Sequence, residues 1–140
     1  MLGSTTANMV HSGILWQDHQ HAELLRCMRR LQRGIMEQSL DHQGLLEIKE
    51  FLQWYVRMHF DGEEAYMEHY HYPQAEQHCQ QHAALRQQLH DTFTVLEDEL
   101  GNPDLHACAD LCVRLNQWYL THIAGPDQEL AAFLRDQGVR

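Results

Sequence analysis

Apolar residues recur at steps of three and four positions through four long stretches of the chain, and no stretch alternates apolar and polar residues for long enough to build a sheet. A helix with one apolar face needs neighbours to cover that face, and short connections between long helices favour antiparallel packing. The 140 residues are enough for one domain with its own core. The pattern therefore predicts a single all-α domain, an antiparallel up-down-up-down four-helix bundle.

Capping residues and prolines divide the helical stretches from one another. We expect the first helix to begin with Asp18 as its N-cap and to end near Gln38. Asp41 is the expected N-cap of the second helix. Pro73 suits the first position of a third helix, because proline has no amide hydrogen to lose there, and this helix should run to about Leu100.

The segment Gly101-Asn102-Pro103 supplies a helix stop, an N-cap and a first-turn proline in succession. It predicts a fourth helix that runs to about Arg135. Residues 1–12 show no helical periodicity, so we expect them to form a flexible N-terminal tail. The bundle domain is predicted to cover residues 13–140.

The net charge of the chain restricts the classes of partner that it is expected to bind. Twenty Asp and Glu residues against ten Lys and Arg give a formal net charge of −10, which disfavours nucleic acids and anionic membrane surfaces. Arginines cluster between positions 26 and 33, but on the polar side of a helical pattern, which is typical of a solvated face. No apolar run reaches the roughly twenty residues of a membrane span, and no signal peptide is evident. We expect a cytoplasmic protein, a monomer or small homo-oligomer.

The four cysteines lack the dense spacing of a secreted disulfide scaffold, so we expect reduced thiols that mostly pack in the core. Cys108 and Cys112 lie one helical turn apart and could together contact a metal ion. A lone CxxxC pair is nevertheless more often simply buried. We therefore base no function on these residues.

Twelve histidines are present, and the apolar stripes separate those that face inward. Residues four apart share a helix face, which is the natural spacing for two ligands of one metal site. His59 and Glu63 continue the stripe of the second helix, and His78 and His82 begin the stripe of the third. His122 continues the stripe of the fourth helix. All five side chains are therefore predicted to point into the bundle.

The first helix offers two candidate histidines. His19 is followed by Glu23 four residues on, but the same face continues through arginines and is polar. His21 instead leads to Leu24, Leu25 and the rest of the apolar stripe. His21 is therefore the predicted inward residue. The same test assigns the other histidines to the surface, the turns or the tail: His11, His19, His42, His69, His71, His90 and His106.

Any one inward histidine is more often a hydrogen-bonded core residue than a ligand, but five of them with a glutamate would be costly to bury without strong partners. A metal centre removes this difficulty. Asp127 follows His122 by five residues and would lie about 140° away on an ideal helix. Because Pro126 cannot donate the helical hydrogen bond, a distortion there would turn Asp127 onto the ligand face. The alternative is a surface aspartate after a proline kink.

Five imidazoles and two carboxylates exceed what one ion can use, so two metals bridged by Glu63 and Asp127 are the economical arrangement. Such nitrogen and oxygen donors suit iron, copper, zinc or nickel. Ferritin-like diiron proteins need two ExxH elements, and the chain has one, from Glu68 to His71. The HExxH motif of zinc proteases is absent from the sequence.

Four ordered motifs carry these residues: GILWQDHQH ending at His21, HFDGEEAYM from His59, YPQAEQHCQQH through His82, and WYLTHIAGPD ending at Asp127. Through them the chain resembles bacterial hemerythrins from about Gly13 to Leu134. The resemblance implies two iron ions with an oxo or hydroxo bridge, and molecular oxygen bound reversibly at an open position of one iron. In that family pattern one iron is held by three histidines and the other by two, with both carboxylates bridging: His78, His82 and His122; His21 and His59; Glu63 and Asp127.

The resemblance also implies an oxygen pocket, for which Leu25, Trp118, Tyr119 and Ile123 are the candidates. Hemerythrins usually carry a leucine at the position of Tyr119, three residues before the histidine of the last helix. One hypothesis is that the Tyr119 hydroxyl reaches the bound oxygen directly or through water. The alternative is a tyrosine packed on the pocket wall with its hydroxyl in solvent.

Three functions fit a site of this kind. The first is an oxygen carrier for storage, delivery or scavenging, and the second is an oxygen or redox sensor that acts on a fused or partner signalling domain. Whether the natural gene continues beyond Arg140 would separate these two. The third is a diiron enzyme acting on peroxide or nitric oxide. We expect no enzyme, because a histidine-rich site with two carboxylates stabilises high-valent iron less well than a carboxylate-rich one.

Overall fold

The structure is a computed structural model, and it describes residues 8–140. Within this range the regular structure is helical, apart from one isolated bridge between Glu97 and Pro103. The elements are α1, Leu15–Met36; α2, His42–His69; α3, Ala75–Phe93; α4, Leu105–Trp118; a π-helix, Tyr119–Ile123; and α5, Pro126–Asp136. The predicted all-α class is confirmed.

Four helical rods pack around one core, the last rod being α4, the π-helix and α5 in succession. The first helix packs against α2 and α4, and α3 packs against α2 and α4. Neighbours in the chain are thus neighbours in space, and the predicted four-helix bundle is confirmed. None of the helices within residues 8–140 combines the length and the apolar character that a bilayer span requires.

Along each rod, a layer of buried polar residues lies between two apolar clusters. We call this layer the donor layer; it contains His21, His59, Glu63, His78, His82, His122 and Asp127. The large apolar cluster on one side includes Leu31, Leu45, Ile48, Leu89, Leu96, Cys108, Leu111 and Cys112. The small apolar cluster on the other side contains Ile14, Met67, Tyr72, Leu130, Ala131 and Leu134.

The start of α1 differs from the prediction, while the start of α2 agrees with it. The helix begins at Leu15, with Ile14 at the N-cap, so Asp18 is not the cap but a residue of the first turn. Its carboxylate instead accepts hydrogen bonds from the backbone N–H groups of Ser12 and Gly13. Asp41 caps α2 as predicted, because its side chain accepts from the backbone N–H of Gly44.

The connection between α3 and α4 is longer than predicted. The third helix ends at Phe93, not near Leu100, because the carboxylate of Asp98 accepts from two backbone N–H groups and holds a turn. Leu96 belongs to this loop, but its side chain is fully buried in the core. Its position in the sequence therefore resembled a continuation of the apolar stripe of α3. Asn102 and Pro103 also lie in the loop, and the N-cap of α4 is Asp104, which accepts from the N–H of Ala107.

Part of the predicted tail, residues 1–7, lies outside the described residues, so its flexibility stays a prediction. Residues 8–12 contact the bundle. The backbone N–H of Val10 donates to the Tyr119 hydroxyl at 2.8 Å. Ser12 is buried, and its carbonyl oxygen accepts a hydrogen bond from the Arg135 guanidinium.

The cysteines are free thiols, as predicted. Cys27, Cys108 and Cys112 are buried in the large apolar cluster, where the loss of water disfavours the thiolate. Burial raises the pKa of Cys27 to about 12 and that of Cys108 and of Cys112 to about 11. These side chains therefore act as packing groups rather than as nucleophiles.

Candidate metal centre

The predicted division of the histidines is confirmed. Each of the five histidines predicted to face inward is at most 2% exposed, and Glu63 and Asp127 are fully buried. The seven histidines assigned to the surface, turns or tail are all exposed. The bundle therefore gathers every predicted ligand into the donor layer. The alternative pair with ligand-like spacing, His19 and Glu23, lies outside it.

The donor layer contains two groups of ligand atoms that share both carboxylates. Within each group, the atoms all lie within 4.8 Å of one another. The three-histidine group consists of His78, His82 and His122 with Glu63 and Asp127. The two-histidine group consists of His21 and His59 with the same carboxylates.

Glu63 turns one carboxylate oxygen towards each group. Its Oε1 atom lies 3.1 Å from Nε2 of His78 and 3.0 Å from Nε2 of His82. Its Oε2 atom lies 3.3 Å from Nε2 of His59. A carboxylate in this position can bridge two cations, because each oxygen faces a different set of imidazoles.

Asp127 divides its oxygens in the same way. Its Oδ1 atom lies 2.9 Å from Nε2 of His122 and 3.1 Å from Nε2 of His78. Its Oδ2 atom lies 3.1 Å from Nε2 of His21. Each of the two carboxylates therefore has one oxygen beside the three-histidine group and the other beside the two-histidine group.

Asp127 reaches the donor layer through a break in the last rod. The π-helix Tyr119–Ile123 directly precedes the Gly125-Pro126 step, and the N–H of Ala124 bonds to the carbonyl of Tyr119 five residues back. The wider π-turn changes the face on which the following residues lie, which brings Asp127 inward. The predicted distortion is present, and the alternative of a surface aspartate is excluded.

Gly125 avoids a tight backbone contact at this break. A Cβ atom added there would lie 3.0 Å from the carbonyl oxygen of Thr121, which is backbone and cannot swing away. Glycine thus allows the chain to leave the π-helix and enter α5 within two residues.

Three glutamines that the sequence analysis missed contact the donors from outside. The Nδ1 atoms of His59 and His122 each lie 2.6 Å from a side-chain oxygen, of Gln20 and Gln81 respectively. The amide of Gln17 donates to Oε2 of Glu63 at 2.7 Å. The one available signal was that Gln17 precedes His21 by four residues and so shares its face.

These contacts test whether cations fit the site. When Nδ1–H of His59 and of His122 donates to a glutamine oxygen, Nε2 of each neutral ring presents a lone pair. These lone pairs face carboxylate oxygens, and Nε2 of His122 and Oδ1 of Asp127 have no hydrogen-bond partner although both are buried. A nitrogen lone pair and a carboxylate oxygen that face each other repel, so they need a positive group between them. Two metal cations satisfy this need, and imidazole with carboxylate is a suitable donor set.

Protons partly meet the same need in the protein without metal. Burial disfavours the imidazolium of His59, but the charge of Glu63 and a hydrogen bond to Asp127 outweigh it and raise its pKa to about 10. The pKa of His78 is raised to about 9 by the same carboxylates, again against the effect of burial. Burial would raise the pKa of each carboxyl group, but the surrounding imidazoles hold both well below their usual values.

A comparison with models of protein families matches residues 12–134 to the Hemerythrin HHE cation binding domain. The chain belongs to this family. A comparison with curated proteins finds no match. The matched segment contains the whole donor layer, so the buried cluster described above is the candidate cation-binding site of this hemerythrin domain.

Aromatic rings enclose the centre of this hemerythrin domain. The ring of Phe60 stacks on that of His82, with centroids 3.9 Å apart, and Trp118 stacks on His122 at the same distance. Tyr55 stacks on His59 at 4.8 Å. Stacked rings fix the orientation of the imidazoles and keep water away from them.

The four candidate pocket residues of the hemerythrin domain differ in position. Leu25 and Ile123 are buried in the large apolar cluster, while Trp118 is partly exposed. Tyr119 is fully buried, and its ring meets that of His21 edge-on with centroids 6.5 Å apart. Whether these residues contact oxygen stays a prediction.

The Tyr119 hydroxyl is hydrogen-bonded to the N-terminal segment. It accepts a hydrogen bond from the Val10 N–H at 2.8 Å and donates to the sulfur of Met9 at 3.8 Å. The solvent-facing alternative is wrong, because the N-terminal segment covers this group. Whether the hydroxyl reaches bound oxygen, directly or through water, stays a prediction.

Proposed function

We propose that this hemerythrin domain holds two iron ions in the donor layer and binds molecular oxygen reversibly, as an oxygen carrier. The observation that carries the proposal is the unequal division of imidazoles around two shared carboxylates. Three histidines with the two carboxylates offer five ligands on one side, and two histidines with the same carboxylates offer four on the other. The two-histidine group therefore leaves more room for a ligand from outside.

In this proposal the metal-binding residues have distinct roles. Glu63 and Asp127 would help to hold both ions, since each presents one oxygen to each histidine group. Gln20 and Gln81 hold the Nδ1 atoms of two imidazoles, which directs their Nε2 atoms inward and fixes the tautomer. Such outer contacts typically change metal affinity by about 10–100-fold.

The protein also excludes water from the proposed oxygen site. Leu25 is buried one helical turn after His21, and Tyr119 and Ile123 are buried on the rod that carries His122. A pair of ferrous ions, when bound, would supply the electrons for reversible oxygen binding. Water and protons at such a position would promote irreversible oxidation, so a dry apolar wall favours release of unchanged oxygen.

A gas-exchange experiment tests the function. The iron-loaded protein is reduced without air, exposed to oxygen and then returned to argon while its visible spectrum is recorded. We expect an absorption band that appears with oxygen, disappears under argon and returns on a second cycle. A band that never reverses would contradict the proposal.

Matched variants connect this result to the site. His21→Gln should abolish the reversible band, because His21 belongs to the two-histidine group. His19→Gln removes an exposed histidine two residues away and should leave the band unchanged. Equal behaviour of the two variants would show that the band does not arise at the donor layer.

Turnover assays separate a carrier from an enzyme. We expect the reduced and the oxidised protein to consume hydrogen peroxide or nitric oxide no faster than the His21→Gln variant does. Sustained turnover that depends on His21, together with an irreversible oxygen band, would favour a diiron enzyme.

A further inference from the structure

A concave surface feature lies along the side of α1 that carries its arginines. It is a groove of about 500 Å³ between α1 and the segment that leads into α2. Four arginines from one face of α1 line it: Arg26, Arg29, Arg30 and Arg33. Their positions at i, i+3, i+4 and i+7 place all four guanidinium groups along the same side of the helix.

This concentration of positive charge stands out against the rest of the chain. The chain has ten Lys and Arg residues and a formal net charge of −10, yet four of the ten cations line one groove. Asp41 is the one carboxylate among the lining residues. The lining residues therefore carry a net positive charge, opposite in sign to the net charge of the protein.

Ion pairs within residues 8–140 leave these arginines able to bind a ligand. Arg26 pairs with Glu23, and Arg30 pairs with Glu47, but all of these side chains are largely or partly exposed. Exposed pairs of this kind contribute little to stability, so their guanidinium groups can exchange partners. Arg29 and Arg33 form no ion pair with any residue of the described range.

The shape of the groove favours a small ligand. Its volume falls within the range of about 300–1,000 Å³ that is typical of small-molecule sites. Leu40 and Met9 supply apolar surface beside the arginines. An extended polyanion such as a nucleic acid would also meet the negative surface around the groove, whereas a compact anion senses mainly charges within about 8 Å at physiological salt.

We propose that this arginine groove binds a small molecule that carries a phosphate or pyrophosphate group. Guanidinium groups bind phosphate oxygens through paired N–H donors, which gives both affinity and orientation. The proposal is independent of the metal in the donor layer and of oxygen binding. It replaces the expectation that these arginines form only a solvated face.

Calorimetric titration of the iron-loaded protein with inorganic pyrophosphate tests the proposal. We expect saturable binding of one anion per chain that weakens as salt is added. Arg29→Gln and Arg33→Gln should each weaken it by at least about tenfold, because each removes a charged hydrogen-bond donor. Both residues are exposed, so the variants should unfold at the temperature of the parent protein.

Two control variants sharpen the experiment. Arg57→Gln removes the same charge from an exposed position of α2 outside the groove and should change the affinity less than twofold, on the order of a screened surface charge. Asp41→Asn removes the one carboxylate of the groove and retains a good N-cap, so it should tighten binding. Titration with adenosine monophosphate identifies the source of the anion: tighter binding than inorganic phosphate indicates an organic phosphate.

Three results would overturn the proposal. One is the absence of saturable binding, and another is an equal loss of affinity in Arg57→Gln and Arg29→Gln. The third is a change in the visible spectrum of the iron centre during titration that persists in Arg29→Gln, which would place the anion at the metal.

Discussion

The donor layer and the large apolar cluster are adjacent parts of one core that obey different physical rules. In the apolar cluster, residues such as Leu111 and Ile48 contribute through the area they remove from water, so size and shape decide what is tolerated. In the donor layer, Glu63 and Asp127 are fully buried charges, and each needs a partner of opposite sign. Side-chain volume therefore determines which substitutions the apolar cluster tolerates, whereas the chemistry of individual atoms determines which ones the donor layer tolerates.

A nearly isosteric change should have its largest effect in the donor layer. Glu63→Gln keeps the volume but replaces one shared oxygen by an amide nitrogen that cannot bind a cation. We expect the iron content to fall from the proposed two per chain to one or fewer, as measured by elemental analysis. The control Leu111→Met alters shape without polarity, and it should retain two irons.

The apolar cluster should respond to lost volume instead. Leu111 is fully buried, so Leu111→Ala should lower the free energy of unfolding by about 2–5 kcal/mol, as measured in urea. The folded variant should still contain two irons per chain. The comparison fails if Leu111→Ala loses its iron while folded, or if Glu63→Gln keeps both ions.

The sequence predicted more of the donor layer than of the loops. The apolar stripes identify the inward histidines because their spacing of four follows from helix geometry alone. Pro126 gave a direct signal for the break that turns Asp127 inward. Gln20 and Gln81 could not be predicted, because which amide meets Nδ1 of a ligand depends on the register between different helices.

Helix ends were predicted less well, because helix ends fray and their last turns are often irregular. Asp104, rather than Asn102, caps α4, and the carboxylate of Asp98 stabilises the loop before it. Leu96 is buried but not helical, so a periodic pattern extended α3 past its true end at Phe93. Burial shows that a residue faces the core, not that it belongs to a helix.

Alkaline pH should lower the stability of the metal-free protein through the donor layer and not through the apolar cluster. In the metal-free protein the pKa of His59 is about 10 and that of His78 about 9, above the value near 6.5 of an unfolded histidine. Their protonation therefore stabilises the fold fully below about pH 6.5, and this stabilisation is lost as the pH rises through 9 to 10.

Thermal unfolding of the metal-free protein between pH 6.5 and 10 measures this effect. The melting temperature should decrease over that interval, and it should decrease less in a His59→Gln variant, which lacks one of the two groups. A melting temperature that stayed constant would show that protons do not replace cations in the donor layer.

The smallest expected effect concerns the contact between the N-terminal segment and the π-helix. Tyr119→Phe removes the acceptor of the Val10 N–H, which should cost about 1 kcal/mol and speed hydrogen exchange at Val10. Iron content should not change, because Tyr119 belongs to neither donor group. A changed rate of iron oxidation with unchanged exchange at Val10 would instead indicate that the hydroxyl acts on bound oxygen.

The stoichiometry of oxygen uptake tests the central claim most directly. The reduced protein, with its iron content known, is equilibrated with oxygen in a closed cell, and the gas is then recovered under vacuum. Two ions that share Glu63 and Asp127 and form one oxygen site should take up one oxygen molecule per two irons and release it unchanged. Uptake of one molecule per iron, or failure to recover the oxygen, would contradict the account.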